Sequence, residues 1–471
     1  MQICFLIHIV LYTLLYHIVF NVFLIQKVNG IHQNKIYYPY FFLNPANSHF
    51  LTTKQQFKVR EGFTNIHKTH LNTMRNGTVS HSKPSLQIAP MLDVTYLHFR
   101  YFMDFKFDFR QFMRLLTRKT QLWTEMFVAS SLINASNESV SRWLKFEENE
   151  HPIVAQLGIF YQHKIVPGGN CPETLVEAGR ILKKFGYDEI NLNAGCPSPR
   201  VSGKGIYKFM LKLFNLGCFG ASLMKEKELV RDIAHHMLRE LEMPVTVKTR
   251  LGVDEFDSYE FVRDFVSTVS ESGCDHFIIH SRKAWLKGIN PKQNRTIPPL
   301  QYEKVYRLQR DFPHLKFTIN GGFKTMESIL EALNSENLDS NNNPHKLNGV
   351  MIGRLAYENP CLLSNVDKLI YGVENPDTCY TRRILLENYA NYIDENQVDT
   401  ANLNISLIVK PILGVFHGEQ GNKIFRQSLS NVYDYDDFIY HSGESRHSMF
   451  IHKVIDLMDK INPEALDKPL Y

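Results

Sequence analysis

Eight short apolar runs, most of them followed by a segment with helical spacing, constrain this chain's fold more than any other feature. The runs are Leu86–Met91, Leu122–Met126, Ile153–Leu157, Glu189–Asn193, Val245–Thr249, His276–His280, Phe317–Asn320 and Gly349–Gly353. Between them, Leu175, Ala178, Leu182 and Phe185 recur at helical spacing, and Gly186 is a fitting stop. Ser258 begins another helix through Phe261, Phe265 and Val269, closed by Gly273. Eightfold strand–helix alternation predicts a parallel (β/α)8 TIM barrel rather than an open sheet. Met91, Glu125, Gln156, Asn193, Lys248, His280, Asn320 and Gly353–Arg354 all fall at or just after the C-terminal ends of these runs. In barrel enzymes that rim builds the active site. Any one of these would be an ordinary hydrogen-bonded cap; eight in register point to a site.

At 471 residues the chain exceeds what one core usually organises, so a large domain plus a smaller one is expected. The barrel occupies residues 86–360. Beyond Pro360 the strand signals stop, and Arg383–Ile393, Ile405–Phe416 and Phe450–Ile461 read as helices of a C-terminal bundle, residues 361–471. Residues 1–25 form an apolar stretch long enough to span a bilayer, without a basic n-region. Residues 26–85 are rich in Lys and Arg, with Glu61 the only acid. This two-part leader reads as an address for a plastid-like organelle reached through the secretory route. A membrane-anchored start, or a cytoplasmic protein, is the plain alternative.

Seven scattered cysteines without a C-x-x-C pair argue against a structural zinc site or a disulfide framework. A net charge of +5 fits a polyanionic partner, and equally a basic leader on a neutral body. The sharpest segment is Asn191-Leu-Asn-Ala-Gly-Cys-Pro-Ser-Pro-Arg200. A lone cysteine is usually a small core residue. A Gly-Cys-Pro turn after a strand is a poor place to bury one, which leaves Cys196 exposed at the rim.

This segment, with Gly217-Cys-Phe-Gly-Ala221 after it, resembles the signature of the tRNA-dihydrouridine synthases. Ala89-Pro-Met-Leu-Asp93, Thr124-Glu-Met126, Val247-Lys-Thr-Arg-Leu-Gly252, His280-Ser-Arg-Lys-Ala284, Ile319-Asn-Gly-Gly322 and Ile352-Gly-Arg354 agree in order. Trp285–Leu300, with Asn294-Arg-Thr-Ile-Pro-Pro-Leu300, is most similar to the bacterial A-type branch. The resemblance covers roughly residues 86–430.

It implies bound FMN, NADPH as reductant and tRNA as substrate, at positions U20 and U20a. Pro90 and Met91 would pack under the flavin, Gln156 would bond its polar edge, and Lys248 and His280 would lie near it. The Lys248 ammonium would favour the electron-rich reduced ring. Asn320, Gly321, Gly322, Gly353 and Arg354 would hold the phosphate, where the last two loops of a barrel usually bind one. Hydride from the reduced flavin would reach C6 of a uracil swung out of the RNA, and Cys196 would protonate C5. A thiol suits this role because its reference pKa lies above neutrality. Asn193 would bond the uracil edge, and Arg250, Arg282, Lys283 and Arg295 the base or its phosphates. The bundle would complete an RNA-binding cleft, with Lys410, Lys423 and Arg426 as basic contributors. The protein is expected to act as a monomer. A dihydroorotate dehydrogenase-like oxidoreductase and an inactive RNA-binding protein are the rival readings.

Three stretches depart from the family. Phe-Met occurs twice around Asp104–Phe112, suggesting an inserted piece in the first barrel helix. Residues 201–216 lengthen the loop that carries Cys196. Ser340–Lys346, with three consecutive Asn, reads as a disordered surface loop.

Overall fold

The computed structural model describes residues 85–91, 109–158, 171–197, 220–338, 342–374, 381–395, 409–430 and 449–470. Residues 1–84 of the two-part leader and the 201–216 extension lie outside the described residues, while Ser85, expected to end the leader, opens the first strand. Eight parallel strands form one sheet: β1 Ser85–Ile88, β2 Leu122–Val128, β3 Ile153–Gly158, β4 Glu189–Ala194, β5 Val245–Arg250, β6 His276–His280, β7 Lys316–Asn320 and β8 Gly349–Ile352. β1 pairs with β8, and the rest follow in sequence order back to β2. The ladder then closes. Ile88 N–H donates to Gln121 O and Gln121 N–H to Leu86 O, both at 2.9 Å, joining β1 to the start of β2. A parallel sheet that closes on itself, wrapped by the helices between its strands, is a (β/α)8 barrel.

The strand alternation sorts side chains into two compartments. Outward residues such as Leu122, Ile153, Leu157, Ile190, Val247, Phe277, Phe317 and Val350 pack against the helices in one large apolar shell. Inside the barrel a separate small cluster, Ala89, Trp123, Val154, Ile278 and Met351, fills the centre. Layers of this kind make the barrel interior a packed core rather than a pore. Below this cluster the interior is polar: Gln87 donates to Thr318 Oγ1 at 3.3 Å, and His276 Nε2 lies 2.9 Å from the same hydroxyl. Burial pushes the His276 imidazole down to about 4, so it is neutral at physiological pH.

The two predicted barrel helices are present. α1, Cys171–Phe185, ends where Gly186 was expected to stop it, and α2, Tyr259–Ser270, is capped by Ser258, whose Oγ accepts from Phe261 N–H at 3.1 Å. Other readings change. Glu125 is not a strand-end residue: β2 runs on to Val128, and a register shift between Trp123 and Met126 brings Met126 opposite Gln156. Residues 109–112 of the suspected insertion are core, because Phe109–Arg114 is a helix buried along its length; residues 104–108 lie outside the described residues. Residues 342–346 are ordered: Asn337 and Leu338 pair antiparallel with His345 and Pro344, and Lys346 reaches Glu336 at 3.3 Å.

The C-terminal helices Arg382–Glu395, Asn422–Ser430 and Met449–Ile461 pack on one another and on the barrel. Asp367 accepts from Thr117 Oγ1, Arg118 N–H and Lys119 N–H, at 2.6–3.1 Å, and Tyr389 meets Phe112 edge-on at 5.2 Å. Buried Arg382 ties this region together through Val415 O, Ala465 O and the Glu419 carboxylate. The expected helix Ile405–Phe416 does not continue where it is described. Pro411 has no N–H to donate, and Lys410–Ile412 is a short 3-10 turn followed by further turns. Among the described residues no helix is long and apolar enough to cross a membrane.

With so few residues filling the barrel centre, Trp123→Ala should lower unfolding free energy by about 3–5 kcal/mol, readable as a shifted urea midpoint.

Candidate active site

The C-terminal ends of the strands surround a cavity of about 1180 Å3. It gathers the expected residues other than Lys283 from seven strands or their ends and from the loop after β6. Pro90 and Met91 follow β1, Gln156 lies in β3, and Asn193 and Cys196 sit at the end of β4 and just after it. β5 and β6 contribute Lys248, Arg250, His280 and, just beyond, Arg282; Arg295 comes from the loop after them. Asn320, Gly321 and Gly322 close β7, and Gly353 and Arg354 follow β8. Met351 and Ala89 reach up from the apolar centre as part of the lining.

Cys196 is held by its backbone from three directions. Asn193 Oδ1 accepts from both Gly195 N–H and Cys196 N–H at 3.0 Å, an Asx turn that fixes the chain as it leaves β4. Arg250 Nε donates to Gly195 O at 2.8 Å. Ala221 N–H donates to Cys196 O at 3.0 Å, so the far end of the long loop returns to the cysteine itself. That approach explains Gly220, whose φ is +50°. A Cβ there would stand 2.2 Å from Cys196 O. The described residues on either side of 198–219 thus meet at Cys196.

Asn193 Nδ2 donates to Gln156 Oε1 at 2.9 Å, so these two amides orient each other in the cavity wall. Lys248 Nζ donates to Asn320 Oδ1 at 3.2 Å, and Asn320 Nδ2 to Met351 O at 2.7 Å. Burial, reinforced by neighbouring Arg250, pushes the Lys248 amine down to about 7, so it is poised between charged and neutral rather than a permanent ammonium. His280 is held well below its ordinary value, first by burial and then by the surrounding cations, and is neutral at pH 7. Gly321 and Gly322 have φ of +110° and +82°; a Cβ on either would collide with the His280 ring or with Leu300. They form a bare backbone cradle beside Lys324 and Arg354. Gly353, by contrast, has room for a Cβ.

The expected RNA contacts divide. Arg250 is 3% exposed, and besides Gly195 O it donates to Lys283 O and Asn294 O at 3.1 Å. Its guanidinium thus braces loops while adding charge to the wall. Arg282 donates to Pro298 O and lines the cavity. Lys283 does not reach the cavity: its ammonium pairs with Asp257 at 2.5 Å and lies over Trp285, drawn away by that carboxylate. Asn294 is fully buried and clamps Trp285 by a reciprocal pair, Trp285 N–H to Oδ1 and Nδ2 to Trp285 O, each 2.8 Å. The Asn-Arg-Thr-Ile-Pro-Pro-Leu segment is therefore a braced loop that presents Arg295, Thr296 and Leu300. Reading the sequence missed Met126, Phe323, Lys324, Tyr357 and His417 in the lining. Phe323 and Lys324 had a signal, since they follow the glycine pair directly. His417 had none, because only the folding back of the C-terminal region brings it there.

Six Lys and Arg side chains line the cavity, and among the described lining residues Glu358 is the one carboxylate. Such a mouth attracts an anionic ligand and repels little of it. Burial raises the Tyr357 phenol and nearby Arg426 opposes this only in part, and Lys423 and Arg426 are exposed on Asn422–Ser430.

Two outcomes check this geometry. Gly220→Ala should cost at least about 1–2 kcal/mol from its left-handed φ, measured by urea unfolding, and should speed alkylation of Cys196. Between pH 7 and 10.5 the unfolded chain holds the Lys248 proton while the folded state does not, so this group makes stability rise with pH. Lys248→Met should raise the urea midpoint at pH 7, with the gain shrinking toward pH 10.

A family model for dihydrouridine synthase (Dus) matches residues 87–448. The tRNA-dihydrouridine(20/20a) synthase of Vibrio vulnificus is 40% identical over 346 residues, 73% of this chain and 90% of that protein. That of Salmonella typhimurium is 40% identical over 360 residues, covering 76% and 93%. That of Escherichia coli K12 is 39% identical over 360 residues, covering 76% and 89%. Among solved structures, an old yellow enzyme homologue from Zymomonas mobilis overlaps 60% of the chain with 12% identity and a TM-score of 0.37, too loose a likeness to bear on fold or function. With the family's model matching residues 87–448 and these relatives covered over about nine-tenths of their length, this chain belongs to the dihydrouridine synthase family.

Proposed function

We propose that this protein reduces uridine in tRNA to 5,6-dihydrouridine, at positions 20 and 20a, with FMN as cofactor and NADPH as reductant. The observation that carries this is Cys196, clamped by its backbone and opening onto the same cavity as Lys248, His280 and the Gly321–Gly322 cradle. The residues present fit a flavin mononucleotide. The bare backbone at Gly321 and Gly322, with Lys324 and Arg354 beside it, suits a phosphate. Pro90, Met91, Met126 and Met351 supply apolar surface for a flat ring system, and Gln156 and Asn320 supply amides for its polar edge. When bound, the flavin supplies the hydride that C6 of the uracil receives.

Cys196 gives its thiol proton to C5, so that hydride and proton together saturate the C5–C6 bond, and the thiolate regains its proton from solvent. Lys248, poised near pH 7, takes up a proton when negative charge develops near it, and stabilises that charge without carrying a permanent burial penalty. His280 serves as a neutral hydrogen-bonding group. Asn193 holds the turn with Oδ1 and keeps one Nδ2 hydrogen for the base. Arg282 and Arg295 meet the base or neighbouring phosphates, and Arg250 acts mainly by bracing Gly195. The C-terminal helix carrying Lys423 and Arg426 extends the basic surface for RNA, whose affinity follows phosphate neutralisation.

The Gly-Cys-Pro turn at the rim and the exposed Lys423 and Arg426 of the C-terminal region favour an RNA over a small dihydroorotate-like substrate, and the intact thiol, amine and imidazole favour an enzyme over an inactive binder. We place the mature protein, as a monomer, in an organelle reached through the secretory route; a fluorescent fusion to residues 1–85 remaining cytosolic would overturn that placement.

Cys196→Ala should leave NADPH-driven flavin reduction intact while dihydrouridine in tRNA falls by roughly 100-fold or more. Single-turnover product analysis measures both, and unchanged product would remove Cys196 from the proton step. Sequencing of tRNA from cells lacking the protein should show unmodified uridine at positions 20 and 20a.

A further inference from the structure

The Asn193 clamp on Cys196 is the top of a longer chain of hydrogen bonds. Asn193 Nδ2 donates to Gln156 Oε1 at 2.9 Å, and Gln156 Nε2 donates to Asn191 Oδ1 at 2.9 Å. Asn191 Nδ2 donates to Thr246 Oγ1 at 2.9 Å, and Thr246 Oγ1–H donates to Glu189 Oε1 at 2.5 Å. The path crosses three neighbouring strands, β3, β4 and β5, from the lower end of the barrel to the catalytic rim. Asn191, Gln156, Thr246 and Asn193 are all buried.

The chain has one polarity, and its two ends agree on it. At the top, the backbone N–H groups of Gly195 and Cys196 can only donate, so Asn193 must turn its oxygen toward them and its nitrogen toward Gln156. Each amide then forces the next, down to a hydroxyl that must donate. At the bottom stands the Glu189 carboxyl, an acceptor for that hydroxyl. Flipping any one amide would set donor against donor and acceptor against acceptor in a buried place, where each unmade bond is costly.

We propose that Glu189, Thr246 and Asn191, which lie below the cavity and are not part of its lining, are positioning residues that lock the Asn193 amide and thereby the turn presenting Cys196. The consequence for turnover rests on the proton role proposed for Cys196; the relay itself does not. Thr246→Ser and Glu189→Gln preserve the hydroxyl and the acceptor. Thr246→Val and Glu189→Met remove them. Glu189→Met should fold, because it deletes a carboxyl that burial pushes up to about 7.

The test is amide hydrogen exchange on the full-length purified protein, followed by mass spectrometry of the peptide containing Gly195 and Cys196. The peptide covering β6 serves as the internal reference. Thr246→Val and Glu189→Met should speed exchange at Gly195 and Cys196 about fivefold or more relative to the reference, whereas Thr246→Ser and Glu189→Gln should match the parent. In the same variants, compared at equal flavin loading, dihydrouridine formation at saturating tRNA should fall about tenfold. Parent-like exchange at the cysteine turn in both disruptive variants would overturn the proposal. So would an equal acceleration in β6, which would mean only general loosening. If exchange responds as expected but the parent protein itself makes no dihydrouridine, the relay stands and the functional reading falls.

Discussion

Two hydrogen bonds at Gln121 close the barrel, and the site depends on that closure. An open sheet would leave β1 and β2 at opposite edges, with Met91 and Met126 far apart. Once closed, the parallel strands must end on one rim, and their inward positions must converge there. The same alternation sends Leu, Ile, Val and Phe outward into the helix-packed shell, so the interior can afford polar side chains near the rim.

That polar interior works because nearly every amide in it is matched. Asn191, Gln156 and Asn193 are buried, and each uses both ends of its amide. An interior of this kind is more demanding than an apolar one, since a single mismatched group leaves others unsatisfied. In return it holds the Gly195–Cys196 turn in one orientation. The cations follow a similar logic. Arg250, buried at the centre of the wall, is anchored by three carbonyl oxygens, while Arg282, Arg295, Lys324 and Arg354 line the cavity for an anionic ligand.

The strand ends, and with them most of the site, were legible because a parallel barrel repeats one simple pattern. His276–His280 was read residue for residue, and the other strands to within three. The misreadings share a cause: they turn on partners remote in sequence or on one backbone atom. Glu125 was misplaced because a bulge shifts β2 by one residue against β3. Lys283, a candidate for the base or neighbouring phosphates, pairs with Asp257 outside the cavity lining, a partner that nothing in its local context announces. The helix through Ile412 was drawn from apolar spacing that ignored the missing N–H of Pro411.

Cys196 shows where the division falls. From the sequence alone came the fold class, the rim position of this cysteine and the glycine pair of the cradle, because these follow from strand periodicity and local backbone chemistry. Only the tertiary structure decided how the cysteine is held. Asn193, Arg250 and Ala221 reach it from three segments, and the last two are 54 and 25 residues away. It likewise decided that Lys248 is poised near neutrality, because burial and neighbouring charge come from the assembled barrel and not from the residue itself.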